Sequence, residues 1–260
     1  MCGLVGILLH PGSRSEDEWQ ELRALFTRML VFNEERGREA AGLAVIQRDG
    51  SCHVFKQPVA ASELVRMRRY HEVLNMSGAE TACLLGHTRM PTKGSPLCPT
   101  NNHPLHTAHT VGIHNGMILN DDELFDHLSL PRQGQVDSEV IFRLLDRVNP
   151  ITNDGRYPAL VQEQVSSLRG CFATLSVDLR QPTQLLVLKQ LMPLCLHYEV
   201  GLRALFFNSR YIFLRRAFGR AVITEALGSR RGYIFDAERL PELGSAPLES
   251  FPLPQKDVMW

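Results

Sequence analysis

The second residue carries the first chemical possibility. The chain opens Met1-Cys2-Gly3-Leu4-Val5-Gly6, and removal of Met1, which a small second residue favours, leaves Cys2 as a free N-terminal residue. Its thiol then lies beside its own α-amine, whose unperturbed pKa is about 7.7–8.0. That amine is able to serve the thiol as general base with no other side chain recruited. A Met-Cys start alone says little, because most cysteines are small buried hydrophobes. Four later segments add weight, each with polar residues at the end of an apolar run: Gly86-His87-Thr88-Arg89-Met90-Pro91-Thr92-Lys93-Gly94, Asn101-Asn102-His103-Pro104-Leu105, Gly112-Ile113-His114-Asn115-Gly116-Met117-Ile118 and Val136-Asp137-Ser138-Glu139. A fifth, Arg36-Gly37-Arg38-Glu39-Ala40-Ala41-Gly42, precedes them. Taken singly, each has a plain structural reading. Arg89 suits a surface ion pair, Asn115-Gly116 a tight hairpin turn, and Asp137 a helix cap. The histidines His87, His103, His106, His109 and His114 invite a metal reading. No spacing among them makes a helical ligand pair and no carboxylate is adjacent, so neither a metal nor another cofactor is expected.

The elements that must hold these segments follow from periodicity. Gly3–Leu9 reads as the first strand. Glu18–Phe32 places Trp19, Leu22, Leu25, Phe26, Met29 and Leu30 at helical spacing. Ala41–Gln47 and Cys52–Phe55 read as strands about an Asp49-Gly50 turn. Ala61–Leu74 reads as one helix whose basic face (Arg66, Arg68, Arg69) is solvated surface. Thr81–His87 and His109–His114 are predicted strands, and Thr88–Thr107, rich in Pro, Gly, Asn and Thr, a long loop of the kind that usually serves function. Asp121–Leu128 and Asp137–Val148 are predicted helices, each entered by an Asp suited to capping; Leu160–Leu168 is a third. From Cys171 onward strands dominate: Phe172–Val177, Leu185–Lys189, Leu194–Tyr198, Ala204–Phe207 and Tyr233–Phe235. Strands in runs, with helices before and between them, favour a layered sheet-and-helix domain over a strict βαβ series.

Composition narrows the class. The 260 residues suffice for one large domain, and the formal net charge of zero gives no support for a nucleic-acid or membrane partner. The six cysteines form no C-x-x-C pair, which argues against a zinc ribbon and, at this length, against a disulfide scaffold. A reducing, cytoplasmic setting is expected. Gly3–Leu9 has no basic residue before it and leads into charged residues, so neither a signal peptide nor a membrane span is predicted.

Cys2-Gly3 followed by these five segments in this order resembles the class II glutamine amidotransferases. These are the N-terminal-nucleophile hydrolases that include the glutaminase half of glucosamine-6-phosphate synthase, with its C-G-I-V-G, R-G-Y-D-S-A-G, H-T-R-W-A-T-H-G, N-A-H-P, H-N-G and D-T-E. The R-x-P-T and G-R-E-A-A-G variants also lean toward amidophosphoribosyltransferase. The resemblance is strongest over residues 2–178 and looser beyond. It implies an α+β fold, the four-layer α/β/β/α sandwich with two stacked antiparallel sheets, spanning residues 2–239. A Pro-rich tail, residues 240–260, is expected to wrap the surface or stay loose.

The same resemblance implies the chemistry. Cys2 attacks the side-chain amide of L-glutamine, forms a glutamyl thioester and releases ammonia; water then frees glutamate. Asn115 and Gly116 match the family's oxyanion hole. Arg89 forks onto the α-carboxylate, with Thr92 and the Lys93 backbone beside it, and Asp137 holds the α-ammonium. His103 holds the loop, and Arg36 and Glu39 brace the site. The sequence departs from the pattern at Met90, where the family has an aromatic, at Lys93, where it has histidine, and at Glu39, where it has aspartate. Lys189-Gln190-Leu191-Met192-Pro193-Leu194 stands for R-S-G-S-P-L, and Ser209-Arg210 for S-D. No phosphate-cradling G-x-x-x-x-G-K-[ST] segment is present, so a separately encoded synthase is the expected taker of the ammonia. Two alternatives stay open. One is hydrolysis of another amide, such as a γ-glutamyl compound; the other is a catalytically silent glutamine-sensing module.

Overall fold

Seven buried positions in a row, Gly3–Leu9, form strand β1. A strand apolar on both faces must lie between two layers. In this computed structural model, which describes residues 1–151 and 155–254, β1 is followed by helix α1 (Glu16–Phe32), strands β2 (Ala40–Gln47) and β3 (Cys52–Gln57), short helices α2 (Ala61–Leu64) and α3 (Arg68–Leu74), and β4 (Thr81–Arg89). Next come β5 (Leu105–His106), β6 (Thr110–Ile118) and the helices α4 (Asp121–His127), α5 (Ser138–Asp146) and α6 (Tyr157–Val165). Strands β7 (Gly170–Asp178), β8 (Gln184–Gln190), β9 (Cys195–Glu199) and β10 (Ala204–Asn208) precede helix α7 (Tyr211–Phe218). The last described elements are β11 (Glu225–Ala226), β12 (Arg231–Asp236), helix α8 (Leu240–Leu243) and β13 (Glu249–Pro252).

The strands form two antiparallel sheets, ordered β11-β9-β10-β1-β4-β2-β3 and β13-β12-β8-β7-β6-β5. Alternation along a strand assigns each residue to a layer. Val5, Ile7 and Leu9 of β1 join Trp19, Leu22, Phe26 and Leu30 of α1 in one core. Leu4 and Leu8 turn the other way, into a core between the sheets with Val111, Ile113, Leu175, Leu185 and Val187. On β8, Leu186 and Leu188 turn outward to a third core with Phe142 and Leu145 of α5 and Val161 of α6. Three cores stacked in this way make the four-layer α/β/β/α sandwich. Phe142 fixes the seat of α5: a Cβ on Gly112 of β6 would stand 2.2 Å from its ring, so glycine there lets the helix lie close.

Several elements differ from the sequence expectation. The helix expected over 61–74 breaks at Met67, whose extended backbone (ψ 136°) lets both Leu64 and Tyr70 reach the first core. Neither Asp121 nor Asp137 caps a helix through its side chain. Asp121 is the first residue of α4 and accepts from Lys93 and Arg132, while Asp137 turns to β6. Helix α7 falls in a stretch with no element expected from sequence; it buries Phe213, Leu214 and Ala217 at helical spacing and stops at Gly219 (φ 65°). The segment after Leu240 is built into the fold, since β13 pairs with β12 at the edge of the second sheet. Residues 255–260 of that expected tail lie outside the described residues.

Candidate active site

Cys2 enters β1 directly beside the end of β4, because Gly3 pairs with Thr88. Its Sγ accepts from the Met90 N–H at 3.4 Å, and Arg36 Nε donates to its carbonyl at 2.7 Å. Gly3 must follow it: a Cβ there would stand 2.5 Å from Thr88 Oγ1 and 2.6 Å from Asn33. Leu4 N donates to Ser209 Oγ at 2.8 Å, tying the same strand to the end of β10. Burial pushes the Cys2 thiol above its ordinary pKa despite the Met90 N–H. The Met1 ammonium donates to Met90 Sδ at 2.7 Å.

The second sheet brings the other groups to this point. His87 Nε2 lies 2.9 Å from the His114 carbonyl and so links β4 to β6. Asn115 and Gly116 follow His114 inside β6 and are not a hairpin turn. Gly116 has φ 135°, and a Cβ on it would come 1.9 Å from the Cys171 carbonyl, so only glycine fits. The Asn115 amide is fully buried, and neither Nδ2 nor Oδ1 has a partner among the described residues. A buried primary amide left unpaired is costly. Asp137 Oδ2 accepts from the Ile118 N–H at 2.7 Å and pins the end of β6.

Seven of the ten residues given a role from sequence line one cavity: Cys2, Arg89, Thr92, Lys93, His103, Gly116 and Asp137. Its volume is only about 10 Å³, room for a single water. The loop after β4 is closed onto Arg89, whose guanidinium donates to Asn102 Oδ1 (2.8 Å) and to the carbonyls of Lys93 (2.7 Å) and Gly94 (2.8 Å). The Lys93 ammonium points away, to Asp121 at 2.6 Å and Asp122 at 2.8 Å. An amino-acid ligand therefore needs this loop to open and free the Arg89 fork. Glu39 contacts the Arg89 carbonyl through its backbone N–H, while its side chain is taken by the Arg38 N–H.

His103 packs against His87 of β4. Its ring lies 4.3 Å from that of His87, and neither of its nitrogens has a partner among the described residues. Lys56, which sequence reasoning did not single out, supplies the hydrogen bonds: Nζ donates to the carbonyls of Asn102 (2.6 Å) and Pro104 (2.9 Å). Burial lowers its pKa to about 8. Ser138 was likewise missed; its hydroxyl lies 2.7 Å from His114 Nδ1. No group of three metal-binding side chains occurs among the described residues.

Burial lowers the pKa of His87 to about 3, that of His103 well below its ordinary value, and that of His114 in the same direction. An unfolded imidazole titrates near about 6.5. Between the two values the unfolded chain binds more protons than the native one, so stability is full above about pH 6.5 and lost as pH falls. Each such ring contributes up to about 1.4 kcal/mol per pH unit. Melting temperature should therefore drop steeply on acidification, and His103→Phe, which removes one titrating ring, should flatten that slope. An unchanged slope would place the acid sensitivity elsewhere.

Comparison with known proteins gives a consistent family. A model described as a glutamine amidotransferase domain matches residues 87–216. A 7-cyano-7-deazaguanine synthase of Sulfolobus acidocaldarius is 26% identical over 213 residues, covering 80% of this chain and 43% of that protein. A glutamine–fructose-6-phosphate aminotransferase of Escherichia coli K12 is 27% identical over 204 residues, covering 77% and 30%. The chain thus spans less than half the length of these relatives. Among solved structures, an allosteric regulatory enzyme of purine biosynthesis superposes with TM-score 0.69 at 19% identity, over 96% of this chain and 49% of that one. A glutamine phosphoribosylpyrophosphate amidotransferase from B. subtilis gives 0.66 at 20%, with the same coverage. At these identities the likeness is one of fold.

Proposed function

The chain belongs to the glutamine amidotransferase domain family, and from that premise we propose that it hydrolyses L-glutamine to L-glutamate and ammonia through a thioester on Cys2. The observation that carries the proposal is the meeting of a thiol, a carboxylate and a guanidinium around one cavity, whose wall at Gly116 directly follows the buried Asn115 amide, unpartnered among the described residues. With Met1 removed, the Cys2 α-amine takes the thiol proton as sulfur attacks the amide carbon. Asn115 Nδ2 and the Gly116 N–H stabilise the oxyanion that forms. The amine returns the proton to the departing nitrogen, ammonia leaves, and water cleaves the thioester by the reverse route. Arg89 grips the α-carboxylate once the Lys93 and Gly94 carbonyls release it, and the second oxygen of Asp137 faces the α-ammonium. Thr92 and the Lys93 backbone flank the carboxylate, and closure of the loop excludes water.

Ammonia then passes to a synthase that consumes it. The relatives named above are a synthase and an aminotransferase, and this chain matches less than half of each. Among the described residues no helix is long and apolar enough to cross a membrane, and all six cysteines are free, in keeping with a reducing cytoplasmic setting.

The test is glutamate and ammonia release, in equal amounts, from L-glutamine by protein whose intact mass shows a free Cys2. Arg89→Lys should raise KM about 10- to 100-fold with a smaller change in kcat, because an ammonium cannot reproduce the planar fork. A γ-glutamyl amide turned over faster than L-glutamine would replace the substrate. Tight glutamine binding without turnover would replace the activity by a sensing role.

A further inference from the structure

A second cavity, of about 630 Å³, adjoins Cys2 and shares Met1 and Arg36 with its surroundings. It lies where β8, β9 and β10 end or begin and where α7 starts; apart from Met1, which processing removes, and Arg36, which holds the Cys2 carbonyl, none of its groups takes part in the glutamine chemistry above. Three cations line it, Arg36, Lys189 and Arg210, against the single carboxylate of Glu225. Glu225 already accepts from the Ser245 hydroxyl.

Two of the cations, Lys189 and Arg36, are buried without an ion pair among the described residues, and Arg210 stands exposed beside them. Lys189 is 7% exposed, and neither a hydrogen bond nor an ion pair reaches its ammonium from the described residues. Arg36 is 9% exposed; its Nε is spent on the Cys2 carbonyl and its Nη2 has no partner. Arg210 lies over the Phe213 ring at 5.7 Å and near enough to Arg36 to lower its pKa, after burial, as a like charge. Helix α7 is entered from Arg210 with no side-chain cap and has no acidic residue in its first turn, so its N-terminal N–H groups add to the same field. Burying unpaired positive charge is costly, and a bound anion offsets that cost. The excess of cations over carboxylate suits a dianion better than a lone carboxylate. The volume lies within the range of small-molecule sites, about 300–1,000 Å³.

We propose that this cavity binds the phosphate of a small phosphorylated compound, held by Lys189, Arg210, the free Nη2 of Arg36 and the start of α7. On the glutaminase reading, on which this placement rests, the compound would lie beside the source of ammonia.

The test is calorimetric titration of the full chain with inorganic phosphate and with glycerol 3-phosphate, using glycerol as control, on the parent protein, Lys189→Met and Arg210→Gln. Both phosphates should bind saturably and glycerol should not. Each substitution should weaken binding at least about tenfold, the loss of one charge-assisted contact. Lys189→Met should also raise the melting temperature in phosphate-free buffer, because it removes an unpaired buried charge without changing side-chain volume greatly. That result would show the lysine to be kept at the expense of stability. No saturable binding by the parent, equal binding by both variants, or binding of inorganic phosphate without glycerol 3-phosphate would each overturn the assignment. Glutamate release, measured on the same preparations, is an independent readout: its absence would count against the Cys2 chemistry and leave the phosphate result standing.

Discussion

Cys2→Ala should release glutamate from L-glutamine at least about 10³-fold more slowly than the parent protein, with its melting temperature nearly unchanged. Removing a covalent nucleophile leaves only binding and oxyanion stabilisation to act on water, and losses of this size or larger follow in enzymes of this logic. The fold should tolerate the change. Cys2 lies outside the three apolar cores, and its sulfur makes only long contacts, at 3.4 and 3.5 Å, with the Met90 backbone. Retention of Met1 should be equally silencing, because the Cys2 nitrogen is then an amide with no basic lone pair. Buried beside Met90, the Met1-blocked thiol is held in its neutral form. Removal of Met1 should therefore speed alkylation of Cys2 by iodoacetamide, followed by intact mass, and the effect should grow with pH as the α-amine loses its proton near about 7.7–8.0. Glutamate release by Cys2→Ala at the parent rate would end the thioester mechanism.

What the sequence could reveal depended on how locally each feature is determined. Strands buried on both faces, such as Gly3–Leu9 and Thr81–Arg89, announce themselves as apolar runs, because every position meets a core. Cys2, Arg89 and Asp137 were legible as chemistry only together, in an order that matches a family. The helix α7 was hidden because Tyr211, Ile212, Phe213 and Leu214 satisfy a strand pattern as well as a helical one. The choice is made by which of them the first sheet buries. Asp137 looked like a cap because it precedes a helix, yet the Ile118 N–H at the end of β6 takes the same carboxylate. Lys56 and Ser138 act across the fold on residues far along the chain, and no local spacing marks them. The closure of the loop onto Arg89 is likewise tertiary, since its acceptors are backbone carbonyls that any sequence would supply.

Asn115→Ala should lower kcat about 10²- to 10³-fold, the usual cost of one oxyanion-hole donor, while KM for glutamine moves little. Its effect on stability should be small, because the native amide has no hydrogen-bond partner among the described residues. Asn115 is fully buried with both Nδ2 and Oδ1 unpartnered, and leaving such a group unpaired costs about 1–3 kcal/mol. Truncation relieves that cost and introduces a smaller one from the space left behind. Asn102 is the contrasting case. It is 1% exposed, and its side chain joins Arg89 to the Pro96 carbonyl. Asn102→Ala should therefore lower the melting temperature and raise KM, because it unfastens the loop that carries Arg89. Stopped-time glutamate assays and thermal melts on the two variants separate the roles. A loss of kcat in Asn115→Ala with an unchanged melt would mean that the amide acts on the transition state. A matching fall in stability would mean that it holds the fold, and the oxyanion assignment would fail with it.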